Sequence, residues 1–402
     1  MSALRPPVGR TASPRTARAI NDRLALELLQ AQGPLTASQL KELTGLSRPS
    51  VADLVERLQE AGLVAVVGET GADRRGPNAR LYGIVADRAH LAAFDVRTHS
   101  VAIEVADLLG VTIGSTVLPV DPLGDPKRTV SRSVALLERT ARRAGAAALH
   151  TIAVGAPGLV DPATGELRAT GQLPAWHSAL VAELRKRLDV PVLLENEVNL
   201  AAVAEQRLGS VRDRETFVLL WLGHGVGAAV VLGGVLRRGA SGGTGEIGFL
   251  PVPGTFELPT ASGCGGGFHS LAGSAAVCAL ARAHGLPVPG DEDDALAAEA
   301  VVTRARAGGK RGELFLDALA DRVAIGAAAV CAVLDPGCVV LGGEVGRAGA
   351  GDLSVRVAER LARMSPLPTE VRAGTVAGSA VLRGALLSAM DAAQDALFTP
   401  DV

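Results

Sequence analysis

Asn196 and Glu197 follow the apolar run PVLLEN, and Glu246 stands in the glycine-rich segment GASGGTGEIGFL. Asn196 brings an amide and Glu197 a carboxylate to the end of that run. Gly223-His224-Gly225-Val226-Gly227 is a further glycine-rich loop, set between two apolar runs. Plainer readings stay open. An Asn-Glu pair after a strand can cap the next helix, and Glu246 is equally a surface carboxylate in a loop. His224 and His269 read as structural imidazoles, and Trp176 as a packing residue or a ligand platform.

A second group of residues has a different chemistry. Between Thr36 and Leu63, apolar residues recur at Leu40, Leu43 and Leu46, then at Val51, Leu54, Val55 and Leu58, which is helical spacing either side of a break at Gly45. Ser47 is placed to cap the second helix and Pro49 falls in its first turn. Arg48 and Ser50 then stand at the helix start, where a helix-turn-helix presents side chains to base edges. An ordinary helical hairpin would have the same spacing. The residues after Gly62 favour the first reading: LVAVV and RLYGIV flank a polar loop and predict a β-hairpin, giving the order of a winged helix. Arg74, Arg75 and Arg80 put cations on or beside the wing, suited to phosphates. Upstream, Ile20, Leu24 and Leu28 predict one more amphipathic helix, and residues 1–18, with four arginines and no acid, predict a mobile basic arm.

The 402 residues suit two or three domains, and 48% hydrophobic residues suffice for large cores. Aromatics are only 2%, so Ala, Val and Leu must fill those cores. Residues 1–80 carry 11 basic and 8 acidic side chains while the whole chain is −2, so positive charge is concentrated in the small N-terminal module. Neither a membrane-spanning run nor a signal-peptide core is present, and the four cysteines lack paired metal-ligand spacing; a cytoplasmic protein with reduced thiols is expected.

From about Ala89, strands alternate with helices. LAAFDVR, SVAIEVAD and VTIGSTV predict three strands, Thr129 to Ala144 a helix, and TIAVGAPG and PVLLEN buried strands. The order then recurs with TFVLLWLG, GAAVVLGG and CVVLGGE, before a final helix from Leu382 to Ala396. Two α/β lobes of similar plan with a cleft between them are expected. The segments VGAPGLVDPATGEL, ENEVNLAAVAE, LGHGVGAAVVLGGVLRRGASGGTGEIGFL and LDPGCVVLGGEVG resemble the ROK family of repressors and sugar kinases over roughly residues 88–395.

The resemblance implies an α/β, two-lobe, ribonuclease-H-like fold of the actin and sugar-kinase type, with sugar bound in the cleft by Asn196, Glu197 and Glu246. With the arm at 1–18, the chain is expected to divide into a winged helix over 19–87 and a kinase-like region over 88–402. Kinases of the family use an Asn-Asp pair, where this chain has Asn196-Glu197, and a first phosphate loop Asp-x-Gly-Gly-Thr, where it has Asp95-Val96-Arg97-Thr98-His99. A base one methylene longer and a loop without its glycines predict that phosphoryl transfer is lost. The family's zinc site uses a His and three cysteines; here Phe249 replaces the His and only Cys264 remains of the thiols, so neither metal nor other cofactor is expected. The combined expectation is a DNA-binding repressor, a homodimer or homotetramer on a palindromic double-stranded operator, with a sugar or sugar-phosphate effector and no catalysis. A sugar kinase with a fused DNA-binding module, and a regulator answering to a protein partner, are the alternatives.

Overall fold

The computed structural model describes residues 14–398 except 71–78, 147, 169–175, 256, 261–262, 264, 291–293 and 377. It begins with α1 (Pro14–Gln32), β1 (Leu35–Thr36), α2 (Ala37–Thr44), α3 (Arg48–Glu60), β2 (Val64–Thr70) and β3 (Ala79–Ile84), the strands pairing antiparallel in the order β1-β3-β2. Each boundary has a local cause. Thr36 and Gln39 form a reciprocal capping box at the start of α2. Gly45, at φ 70°, ends α2 in the left-handed conformation that L side chains avoid, and its N–H returns to the Lys41 carbonyl. Ser47 then accepts from the Ser50 N–H at 3.3 Å and starts α3.

Leu40, Val51, Leu54, Val55 and Leu58 are buried as their spacing predicts. Two expectations need correction. The packed face of α1 is Ala25, Leu26 and Leu29, with Leu28 partly buried, while Ile20 and Leu24 are exposed, because α1 turns the first set toward the core it shares with α2, α3 and α12. Residues 14–18, assigned to a mobile arm, belong to α1: Pro14 has its φ pre-set for a first helical turn, and its missing N–H is not needed there. Residues 1–13 lie outside the described residues.

The larger region contains β4 (His90–Val96), β5 (Ser100–Asp107), β6 (Thr112–Pro119), α4 (Pro126–Arg143), β7 (Thr151–Ala156), α5 (Trp176–Arg187), β8 (Val192–Asn196) and α6 (Glu197–Leu208). It continues with β9 (Phe217–Leu222), β10 (Val226–Leu232), β11 (Val235–Arg237), α7 (His269–Ala272), α8 (Ser274–Ala283), α9 (Ala295–Arg306), α10 (Lys310–Leu334), β12 (Cys338–Gly342), α11 (Gly343–Met364), β13 (Glu370–Ala373) and α12 (Ala380–Phe398). The two sheets run β6-β5-β4-β7-β8 and β11-β10-β9-β12-β13. In both, the first three strands of the lobe form an antiparallel meander and the last two add in parallel. The repeated order is the doubling expected from the sequence. Strands β4, β7, β9 and β12 are almost wholly apolar and buried, as befits sheets covered on both faces.

Helix α12, last in sequence, is central in space. It packs against β4, β7 and α6, and its buried residues Leu382, Leu386, Ala389, Met390 and Ala393 share one continuous core with α1 and the winged helix. Arg23 donates to Asp395 at 2.5 Å and Gln30 to the Met390 sulfur at 3.5 Å across the same junction. The kinase-like region is therefore joined to the N-terminal module by packing as well as by chain.

Candidate functional site

Between the two sheets lies a cleft of about 440 Å3, lined among others by Arg97, His99, Glu197, Trp221, His224 and Glu344. The two lobes contribute opposing walls. Arg97 and His99 come from the β4–β5 hairpin, Glu197 from the first residue of α6, Trp221 and His224 from the β9–β10 turn, and Glu344 from the start of α11. Glu344 is brought there by the turn at Gly342-Gly343. Gly343 has φ 76°, and a Cβ on it would meet the Leu222 carbonyl oxygen at 2.4 Å, so the close approach of β12 to β9 requires glycine.

Arg97 is the hub of the cleft. Its Nε donates to Asp95 Oδ2 at 3.0 Å within one lobe, and its Nη1 donates to Glu344 Oε1 at 2.7 Å in the other. Both carboxylates are almost fully buried. Desolvation opposes the Arg97 charge, but Asp95 and Glu344 outweigh it and hold the guanidinium above its ordinary pKa. Ser379, just before α12, donates its hydroxyl to Asp95 Oδ2 at 2.7 Å and ties this pair to the helix that reaches the winged helix.

Glu197 stands in this field. Desolvation, reinforced by the charges of Asp95, Glu344 and Glu246 and only partly offset by Arg97, pushes its carboxyl up to about 8. Near neutral pH it is a carboxylic acid, able to donate one hydrogen bond and accept others. Asn196 is occupied by the fold: its Oδ1 accepts from the N–H groups of Val198 (2.8 Å) and Asn199 (3.4 Å), and its Nδ2 donates to the Gly158 carbonyl at 2.9 Å. The capping reading of Asn196 is thus realised, and one amide hydrogen is left for a ligand. Glu246 precedes the short turn Ile247–Phe249; its side chain reaches solvent, yet desolvation raises its pKa, and its charge is felt by Glu197. Trp176 resolves to a packing residue, buried in its lobe edge-on to His177.

The zinc site implied by the family does not fit these residues. Phe249 offers a phenyl ring, and Phe268 is fully buried against Gly326, where an added Cβ would lie 2.3 Å from the ring; neither can donate to a metal. Cys264 lies outside the described residues.

The N-terminal surface is of another kind. Ser47, Arg48, Pro49 and Ser50 are all exposed at the start of α3, and Arg80 is exposed on β3. Arg57 holds α3 on α1 through Asp22 at 2.6 Å, so the helix is presented from a fixed base. Arg74 and Arg75 lie outside the described residues. Sequence reasoning missed Glu344, Trp221 and Ser379 as partners of one site. The signal available was the replacement of a phosphate-loop glycine by Arg97, a buried cation that demands counter-charges.

Comparison with known proteins agrees with this construction. Residues 98–391 match the ROK family and residues 20–76 the MarR family. The xylose repressor of Caldicellulosiruptor bescii is 22% identical over 337 residues, 81% of this chain and 83% of that protein. The DNA-binding transcriptional dual regulator NagC of Escherichia coli is 26% identical over 246 residues, 58% of this chain and 57% of that one. Among solved structures, a ROK family transcriptional regulator described as a homolog of the E. coli MLC protein superposes with a TM-score of 0.74 at 22% identity, covering 95% of this chain and 98% of that one. The ROK hexokinase of Thermus thermophilus gives 0.60 at 29% identity over 76% of this chain and 99% of its own. On a family match over residues 98–391, most of its length, this chain belongs to the ROK family.

Proposed function

We propose that the chain is a DNA-binding transcriptional regulator, acting as a repressor, whose kinase-like region senses a sugar or related metabolite without phosphorylating it. The observation that carries this reading is the physical connection from cleft to DNA-facing module. Arg97 bonds Asp95, Asp95 accepts from Ser379, and Ser379 opens α12, whose far half shares its core with α1. A ligand that moves one lobe against the other acts on both ends of that helix, and its binding and DNA release are then linked reciprocally. Loss of catalysis is supported by Arg97 and its carboxylates filling the position of the first phosphate loop.

Ser47, Arg48 and Ser50 would read bases in the major groove, with Pro49 shaping the first turn, and Arg74, Arg75 and Arg80 would hold phosphates. Asn196, Glu197 and Glu246 would contact the effector. A homodimer or homotetramer on a palindromic operator in the cytoplasm accords with the relatives' roles as repressors. Among the described residues no helix is long and apolar enough to cross a membrane.

Fluorescence anisotropy with a DNA fragment selected in vitro by the full chain tests the reading. One sugar of a panel of pentoses, hexoses and N-acetylhexosamines should change the affinity by about 5- to 150-fold, a typical coupling, with no turnover of ATP. ATP-dependent phosphorylation of that sugar would favour a kinase with a fused DNA-binding module. Silence across the panel would favour a protein partner as the input.

A further inference from the structure

The sensing reading leaves open whether the cleft takes a phosphorylated or an unphosphorylated ligand. A phosphate would need an available cation at the position of the first phosphate loop. Arg97 is the cation there, and its charge is already matched twice: Nε and Nη2 both lie 3.0 Å from Asp95 Oδ2, and Nη1 donates to Glu344 Oε1 at 2.7 Å. Neither carboxylate is easily drawn away, because both are buried, Glu344 at 3% exposure and Asp95 at 1%, and would be left unpaired. In the glycine loop the Gly223 N–H is already given to the Gly225 carbonyl at 3.1 Å, and the Glu344 carboxylate stands beside it. A Cβ on Gly223 would lie 2.5 Å from Glu344 Oε2, so the carboxylate stands against that loop. Around the cleft, Asp95, Glu246 and Glu344 all bear on the charge of Glu197, with Arg97 the cation among them. A dianion would enter a field of its own sign.

We propose that Glu344, with Asp95, is the specificity determinant that bars phosphorylated ligands from this cleft by sequestering Arg97, so that the effector is an uncharged, hydroxyl-rich molecule. The remaining lining suits such a ligand. Trp221 and Pro157 give apolar faces, while Thr98, His99 and the Glu197 carboxyl give groups that both donate and accept. The inference rests on the sensing reading only for the word effector; the exclusion of phosphate is a property of the cleft and is tested without knowing the sugar.

The probe is pyrophosphate, titrated calorimetrically into the full-length protein. Wild type should not bind in the millimolar range. Glu344→Gln keeps the shape and one acceptor but removes the charge, and should gain affinity on the order of ten- to hundredfold. Adding Arg97→Gln to that variant should erase the gain, which locates it at Arg97, and melting curves of all three show that the fold persists. Wild-type binding of pyrophosphate that Arg97→Gln abolishes would overturn the proposal, as would a Glu344→Gln variant that gains nothing. A parallel titration of glucose, xylose and N-acetylglucosamine against their phosphates separates the two readings. Response to a phosphorylated sugar alone sinks the exclusion but keeps the sensor, whereas the pyrophosphate result stands whatever the DNA assay shows.

Discussion

Helices α3 and α6 begin alike, with a capping side chain followed by a charged residue, Ser47 then Arg48 in one and Asn196 then Glu197 in the other. Their charged residues meet opposite fates. Arg48 is exposed, with its charge in water and its donors turned outward. Glu197 is desolvated among the carboxylates of Asp95 and Glu344 and holds its proton to about pH 8. The capping chemistry is local and is the same in both. What the next charge can do is set by segments that lie far away in sequence: Arg48 is left open to solvent, whereas residues near 95 and 344 close around Glu197.

The difference can be attacked first at Glu197, where the largest effect is expected. Its folded pKa lies above the ordinary carboxylate value of 4.5, so its contribution to stability is complete below about pH 4.5 and is lost as pH rises through about 8. Glu197→Gln cannot lose a proton. Relative to wild type it should therefore gain stability between pH 5 and pH 9, on the order of a few kcal/mol. Urea unfolding at the two pH values measures this, and an equal difference at both would mean that water reaches the carboxyl freely.

Arg48 should behave in the contrary way. Arg48→Ala is expected to leave thermal stability unchanged while weakening specific DNA binding by about 1 to 3 kcal/mol, with relaxed preference at the base it reads. A binding-site selection on the variant that returned the wild-type sequence preference would remove Arg48 from the reading surface.

At the caps themselves the effects should run from that size downward. Asn196→Ala loses two amide contacts and the bond to Gly158, and should cost about 2 kcal/mol, near the top of the range for caps. Ser47→Ala, at an exposed cap, should cost about 0.5 to 1 kcal/mol. If the two costs were equal in chemical denaturation, burial would not be what distinguishes the two helix starts.

Much of this could be read from the chain because it is local. Gly45, Ser47 and Pro49 mark the turn and the second helix, and the structure places both where those residues predict. The two lobes were legible because buried strands such as TIAVGA and CVVLG are apolar runs bounded by glycine. The face of α1 was not, since Ile20, Leu24 and Leu28 form an acceptable stripe and only tertiary packing selects Ala25, Leu26 and Leu29 instead. Within the cleft, Asn196-Glu197 and the altered loop at Asp95 were visible as departures from a family pattern. The pairing of Arg97 with Glu344 was not, because the two residues are 247 positions apart and no periodicity records such a contact.

Helix α12 has a consequence for the order in which the molecule assembles. Arg23 and Asp395 are 372 residues apart, so the junction between the N-terminal module and the rest is among the most distant closures in the chain. During synthesis the winged helix can complete its own small core early, since its elements are contiguous, but the helix that covers the β4 and β7 face and docks α1 emerges only after both lobes have been made. Until then the face of the first sheet that α12 covers is open and the N-terminal module is joined to the rest by chain alone. The arrival of α12 therefore covers that sheet and fixes the N-terminal module against it in a single step.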